Sequence, residues 1–270
     1  MDKPKIGIIG CGAIGSEIAK ACEGVLKGSL VLGAICDADS HRTTNLNNLL
    51  KEKAAVMDIE QLIRGSDIVV EAASASISAN ILESCIKAGK TCLVMSVGGL
   101  VGREVLLEHA ESKGVKVFIP SGALCGIDGL KAASMGGVDS VTLTTRKPIK
   151  GLVGAPYLKE KNIDIENIKG ETVVFEGAAL EAVKAFPQNV NVSAVLSLAG
   201  MGAAKTRVRI ITSPEYTKNT HEVEIRGEFG RITTITENVP SKSNPKTSAM
   251  AIFSAIAALK GAVSSVRIGS

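Results

Sequence analysis

The chain has 270 residues, 45% of them hydrophobic, with 3% aromatic residues and no Trp, which is material for one large or two modest domains around an aliphatic core. Lys and Arg total 31 against 27 Asp and Glu, a net charge of +4 with the basic residues scattered; this excludes the basic stripe with stacking aromatics of a nucleic-acid surface and suits a small anionic substrate. No run of about 18 apolar residues marks a membrane span, and Met1-Asp2-Lys3 leads straight into an apolar strand, which leaves no room for a signal peptide.

Lys5 to Asp37 organises the rest. It reads as a buried strand, KIGIIG, a glycine turn, CGAIG, an amphipathic run from Ser16 to Ala21, and a second strand, LVLGAIC, closed by Asp37. Gly10, Gly12 and Gly15 keep the spacing G-x-G-x-x-G, with Ala13 and Ile14 between the last two. The first glycine lets the chain turn sharply, the second removes a side chain where a pyrophosphate meets backbone, and the third lets the helix pack close. The helix start adds unpaired N–H groups and a partial positive charge. Asp37, 22 residues after Gly15, is placed to accept hydrogen bonds from an adenosine ribose. A carboxylate there favours NAD; Arg42, five residues on, keeps NADP possible because it could pair with a 2′-phosphate. The alternative is a glycine-rich turn that binds no nucleotide.

Downstream, Ser40 to Lys53 has helical spacing, and Asp58 is placed to cap a short helix over 58–64. DIVVEAAS, Asp67 to Ser74, is a short β-branched run that suits a strand buried on both faces. Ligands of doubly wound sheets sit beyond the carboxyl ends of the strands, so Ala73, Ser74 and Ser76 are candidates to face the cofactor. A helix over 77–88 stopped by Gly89, a strand TCLVMSVGG, a helix over 101–113 stopped by Gly114 and a strand VKVFIP ending at Pro120 complete the alternation. That rhythm is the signature of a doubly wound parallel sheet of the Rossmann kind, an α/β domain over 1–120.

The pattern then changes. Small residues from Ser121, a helix from about Ile127, VDSVTLTTRKP, ETVVFEG, two helices over 178–186 and 190–198, and three successive strands (TRVRIITSP, HEVEIRGEFG, RITTITENV) imply a second, α+β mixed-sheet domain over 121–246 with helices on one face. The last helix, 247–260, is apolar on most sides and is expected to be buried, so the segment 247–270 is placed back on the first domain or in a dimer contact. Cys11, Cys22, Cys36, Cys85, Cys92 and Cys125 lack zinc-knuckle or redox-pair spacing and read as small buried hydrophobes of a reducing compartment, with no metal site. The expectation is a soluble cytoplasmic protein.

Three histidines are available for proton chemistry near neutral pH. His41 lies at the ribose end of the expected nucleotide site, and His109, between Glu108 and Glu111, reads as a solvated helix residue. His221, at the entrance of a second-domain strand, is the catalytic candidate. Asn189 and Asn191 stand where a helix begins after Pro187; one reads as a cap and the other as a ligand contact. Lys246, at the start of the last helix, is a candidate for a substrate carboxylate.

GCGAIG, PSGALCGIDGL, FPQNVNVSAVLSLAG, HEVEIRGEFG and SNPKTSA together resemble the L-aspartate dehydrogenase family from end to end, the last four being more specific than the glycine motif. The resemblance implies oxidation of a small dicarboxylic amino acid, L-aspartate, to iminoaspartate for NAD biosynthesis, with NAD and often NADP accepted, in a homodimer. It further implies an active-site histidine at His221 and cofactor contacts at Ala123 and Asn191. Two other readings share the architecture: a reductase or dehydrogenase of the dihydrodipicolinate, homoserine or sugar type, since fold does not fix substrate, and a regulatory protein that senses NAD without turning it over.

Overall fold

The computed structural model describes residues 3–187, 191–241, 244 and 247–269. It divides into two compact units, one comprising 1–120 with 251–267 and the other 121–250 with the last three residues.

The first unit begins with β1 (Lys5–Ile9), α1 (Ala13–Glu23), β2 (Val31–Cys36), α2 (Ser40–Leu49), β3 (Ala55–Val56) and α3 (Ile59–Gly65). It continues with β4 (Ile68–Glu71), α4 (Ala75–Lys87), β5 (Thr91–Val94), α5 (Val105–Ser112) and β6 (Val117–Phe118). The strands lie in the order β3-β2-β1-β4-β5-β6, every pair parallel. The sheet therefore grows outward in both directions from β1 and β4, and the crevice beyond their carboxyl ends is where such sheets take a nucleotide. Ile6, Ile8, Val69, Val70 and Leu93 are buried, as strands covered on both faces require. Asp58 caps α3 by accepting from the Gln61 N–H at 2.8 Å. The two-residue β3 is exposed and has no apolar run to announce it. The helix expected from 101 begins only at Val105, because a single 3₁₀ turn, Val97–Leu100, intervenes first.

The second unit contains α6 (Ile127–Ala133), β7 (Val138–Pro148), α7 (Pro156–Glu160), β8 (Thr172–Ala178), α8 (Ala179–Ala185) and α9 (Asn191–Ala199). Three strands follow, β9 (Arg207–Ser213), β10 (Asn219–Gly227) and β11 (Gly230–Asn238). Its sheet runs β11-β10-β7-β9-β8, with β7 and β9 parallel and the other pairs antiparallel. The three strands read in succession are thus not all neighbours: β7 lies between β9 and β10. A parallel pair needs a long crossover, and here the chain from β8 through α9 supplies it. Residues 141, 143, 145 and 147 of β7 point to one face, which α8 and α9 line with Ala182, Val192 and Ser193. Tyr157, Phe175 and Phe186 pack with ring centroids 5.3–5.7 Å apart, so much of the chain's scarce aromatic content, 5 Phe and 2 Tyr in all, serves one cluster of this unit.

The last helix, α10 (Ala249–Val263), sends Ala255 and Leu259 into the core of the first unit beside Ile18, Leu26 and Ile68. Its burial is one-sided, since Phe253 is 61% exposed and Met250 41%. Apolar composition all round was expected to mean burial all round; packing on a single sheet-and-helix face covers only one stripe.

Candidate functional site

In the first unit the site is made by backbone. Gly10 has φ +101° and a side chain there would strike the Ala72 carbonyl oxygen at 2.4 Å, so only glycine fits. At Gly15 a Cβ would stand 1.9 Å from the Gly10 carbonyl oxygen. Gly12 differs: a Cβ there would meet nothing within 4 Å. It leaves open space at the N-terminal end of α1, where the N–H groups of Ala13 and Ile14 belong to the first turn and attract an anion. A pyrophosphate fits that cradle, and the residues present suit a dinucleotide.

Asp37 closes the site and has a second task. Its Oδ2 accepts from the Cys11 N–H at 2.7 Å and its Oδ1 from the Asp39 N–H at 2.9 Å. A carboxylate offers about four lone-pair sites, so capacity is left for ribose hydroxyls. Arg42, its side chain 59% exposed, lies 4.0 Å from Asp37 and 3.7 Å from Asp39, beside two carboxylates. Ala73 and Ser74 are exposed at the end of β4, where Ser74 precedes α4 and shares a 2.9 Å hydrogen bond with Ser76. Glu71, fully buried, holds this end together: it accepts from the Ala73 N–H at 2.8 Å and, through its other oxygen, from the Ser96 N–H at 2.9 Å. Burial pushes its carboxyl up, opposed by those hydrogen bonds. Its place at the end of an apolar strand was the available signal, and sequence reasoning passed over it.

In the second unit the site is made by side chains. His221, 4% exposed, lies on β10 directly opposite Thr145 of β7, and the Thr145 hydroxyl is hydrogen-bonded to His221 Nδ1 at 3.0 Å. That bond leaves Nε2 for a substrate. Burial, helped by the charge of Lys147, pushes the imidazole down to about 3, so the ring is neutral at working pH. Lys147, 7% exposed and two residues along the same strand face, is pushed down to about 8 by burial. With Thr145 and Ser193 it lines a small cavity against α9. The Glu222 carboxylate, one residue on from His221, lies on the opposite face and pairs with Arg146 at 2.8 Å.

His41 and His109 are both exposed. Asn191 is the exposed first residue of α9. Ala123 is buried, and its carbonyl oxygen accepts from the Asn238 side chain at 3.2 Å. Asn189 and Lys246 lie outside the described residues. Lys147 and Thr145 were missed in the sequence. Their signal was register: in VTLTTRKP they fall on the same alternate positions as the apolar Val141 and Leu143, so they point inward with them. Cys11 and Cys22 are buried with thiols pushed up to about 12 by burial; Cys125, expected to be buried like the others, is exposed. Among the described residues no group of three or more His, Cys, Asp or Glu could hold a metal ion, and no helix is long and apolar enough to cross a membrane.

A glycine turn between β1 and α1 of a 3-2-1-4-5-6 parallel sheet, joined to a mixed-sheet unit, places the chain among the pyridine-nucleotide oxidoreductases. The aspartate dehydrogenase C-terminal family matches residues 128–262, and the NAD-binding domain of homoserine dehydrogenase matches residues 10–120. An L-aspartate dehydrogenase of Methanosarcina acetivorans is 47% identical over 98% of this chain and 99% of its own, and one of Bradyrhizobium diazoefficiens is 39% identical over 98% and 94%. The crystal structure of aspartate dehydrogenase from Thermotoga maritima superposes with a TM-score of 0.75 at 26% identity, covering 99% of this chain and all of that one. The chain belongs to the L-aspartate dehydrogenase family.

Proposed function

We propose that the protein oxidises L-aspartate to iminoaspartate, which water then converts to oxaloacetate and ammonia unless it is drawn into NAD biosynthesis. What carries the reading is family membership that spans both units, from the glycine turn to the His221 strand. Held at Gly10, Gly12, Ala13, Ile14 and Gly15, the nicotinamide cofactor supplies the hydride acceptor. Asp37 takes the ribose, and the pairing of Arg42 with two carboxylates favours NAD over NADP. Ala73, Ser74, Ala123 and Asn191 add cofactor contacts. His221, neutral and fixed through Nδ1 by Thr145, orients the substrate with Nε2, and Asn189 and Lys246 meet its polar groups. The reading extends to a homodimer in the cytoplasm; the exposed side of α10, with Phe253 and Met250, supports a further covering surface.

The test is NAD reduction with aspartate beside homoserine and myo-inositol. Aspartate alone is expected to support turnover, and His221→Ala is expected to cut kcat by about 100-fold or more while NAD affinity holds. Turnover with either competitor, or collapse of NAD binding in the variant with turnover per bound cofactor intact, rejects the assignment.

A further inference from the structure

We propose that Lys147 is the proton acceptor for the substrate's α-ammonium group, while His221 stays neutral throughout turnover and Thr145 fixes which ring nitrogen it presents. The inference rests on the aspartate oxidation proposed above and assigns its base. Lys147 and Thr145 share one face of β7, and Thr145 is both paired with His221 across the strands and bonded to its ring. Lys147 is therefore a diagonal cross-strand neighbour of the histidine, within reach of a long side chain. Both side chains are withdrawn from solvent.

The chemistry needs a base at this point. An ammonium nitrogen has no lone pair with which to form C=N, so it must lose a proton before or as the hydride leaves. His221 is a poor acceptor: with its ring pushed down to about 3, a proton placed on it returns to the donor. Lys147, held at about 8, exchanges protons near working pH. The influence between them runs one way. Lys147 lowers the histidine, but burial is what lowers Lys147, because the ring carries no charge where the lysine titrates. The elements packed against Lys147 present Val208, Ile210 and Thr212 from β9, Ala182 from α8, and Val192 and Ser193 from α9. None of these ionises, and His221 from β10 is a titratable group that the charge of Lys147 reaches.

The step balances. The substrate R–NH3⁺ gives one proton to neutral Lys147 Nζ, which becomes the ammonium. The Cα–H bond then breaks, its electron pair leaving as hydride to the nicotinamide, and the freed nitrogen lone pair closes the C=NH2⁺ bond. Lys147 later returns its proton to water, so each turnover oxidises one amine, reduces one NAD and releases one proton.

Lys147→Ala and Lys147→Arg separate this role from simple attraction of a carboxylate, because arginine holds an anion but accepts no proton. Both variants are expected to bind NAD and to lose about 100-fold in kcat. The rise of wild-type kcat/KM with pH toward about 8 is expected to vanish in Lys147→Ala, and ethylamine is expected to restore turnover in proportion to its free base. In the protein without cofactor, ¹³C-lysine spectra should show one resonance titrating near that pH that is missing from Lys147→Ala. An active Lys147→Arg, an unmoved pH profile, or no such resonance overturns the proposal. If Lys147→Ala fails to fold, Lys147→Gln takes its place in each measurement. A wild-type protein that ignores aspartate while the lysine resonance titrates as expected rejects the reaction instead.

Discussion

The glycine turn of the first unit and the inward face of β7 and β10 in the second do opposite things with the same chain. At the turn, recognition is built from what is missing: no Cβ at Gly10, Gly12 and Gly15, with N–H groups left at the helix start. On the sheet face it is built from what is added, a buried lysine, a buried histidine and the hydroxyl between strands that bonds the ring. The first arrangement suits a ligand whose charge is fixed, since backbone dipoles do not titrate. The second suits one that changes protonation, since burial lowers both groups, bringing Lys147 down to about 8, close to neutral pH, while His221 falls to about 3.

The largest expected effect probes the steric half of that contrast. Gly15→Ala drives a methyl group onto the Gly10 carbonyl oxygen and is expected to cost about 4 kcal/mol, the upper range for a single substitution, read from urea melts. Next comes the electrostatic half. An unfolded lysine binds its proton below 10.5, whereas Lys147 does so only below about 8, so wild-type stability falls as the pH drops from 10.5 to 8. Lys147→Met keeps the shape and removes this loss; it is expected to be more stable by ~3 kcal/mol at pH 7, and the advantage should vanish as the pH rises past 10.5. Gly12→Ala, whose methyl enters open space, should melt like wild type and yet bind NAD about tenfold more weakly by fluorescence titration. The smallest change is expected of Asp37→Ala, a few-fold shift of the NAD to NADP affinity ratio toward NADP; no shift would deny Asp37 its ribose role.

The two regions were not equally legible in the sequence. The glycine turn could be read because its spacing is local: Gly15 answers to Gly10 within the same strand-turn-helix, Gly12 opens onto empty space, and only the contact of Gly10 with Ala72 reaches outside it. Thr145 and His221 are separated by 76 residues, and their meeting depends on β10 lying beside β7 with one register. Alternation shows which way each side chain points but not which strand it will face. So His221 was found through its residue type and through the family resemblance, while Lys147, on a strand that reads as ordinary, was not. The insertion of β7 between β9 and β10 was hidden for the same reason, because strand order is a property of the assembled sheet.

Glu71 carries a consequence for how this protein can vary. A strand residue, locked in the core, grips the amide of Ala73 on one side and that of Ser96 on the other, so the shape of both loop ends is dictated from beneath them. The side chains at positions 73 to 76 are thereby relieved of most scaffolding duty, the Ser74–Ser76 hydrogen bond apart. A lineage can exchange them to retune what it binds and still inherit the same loop.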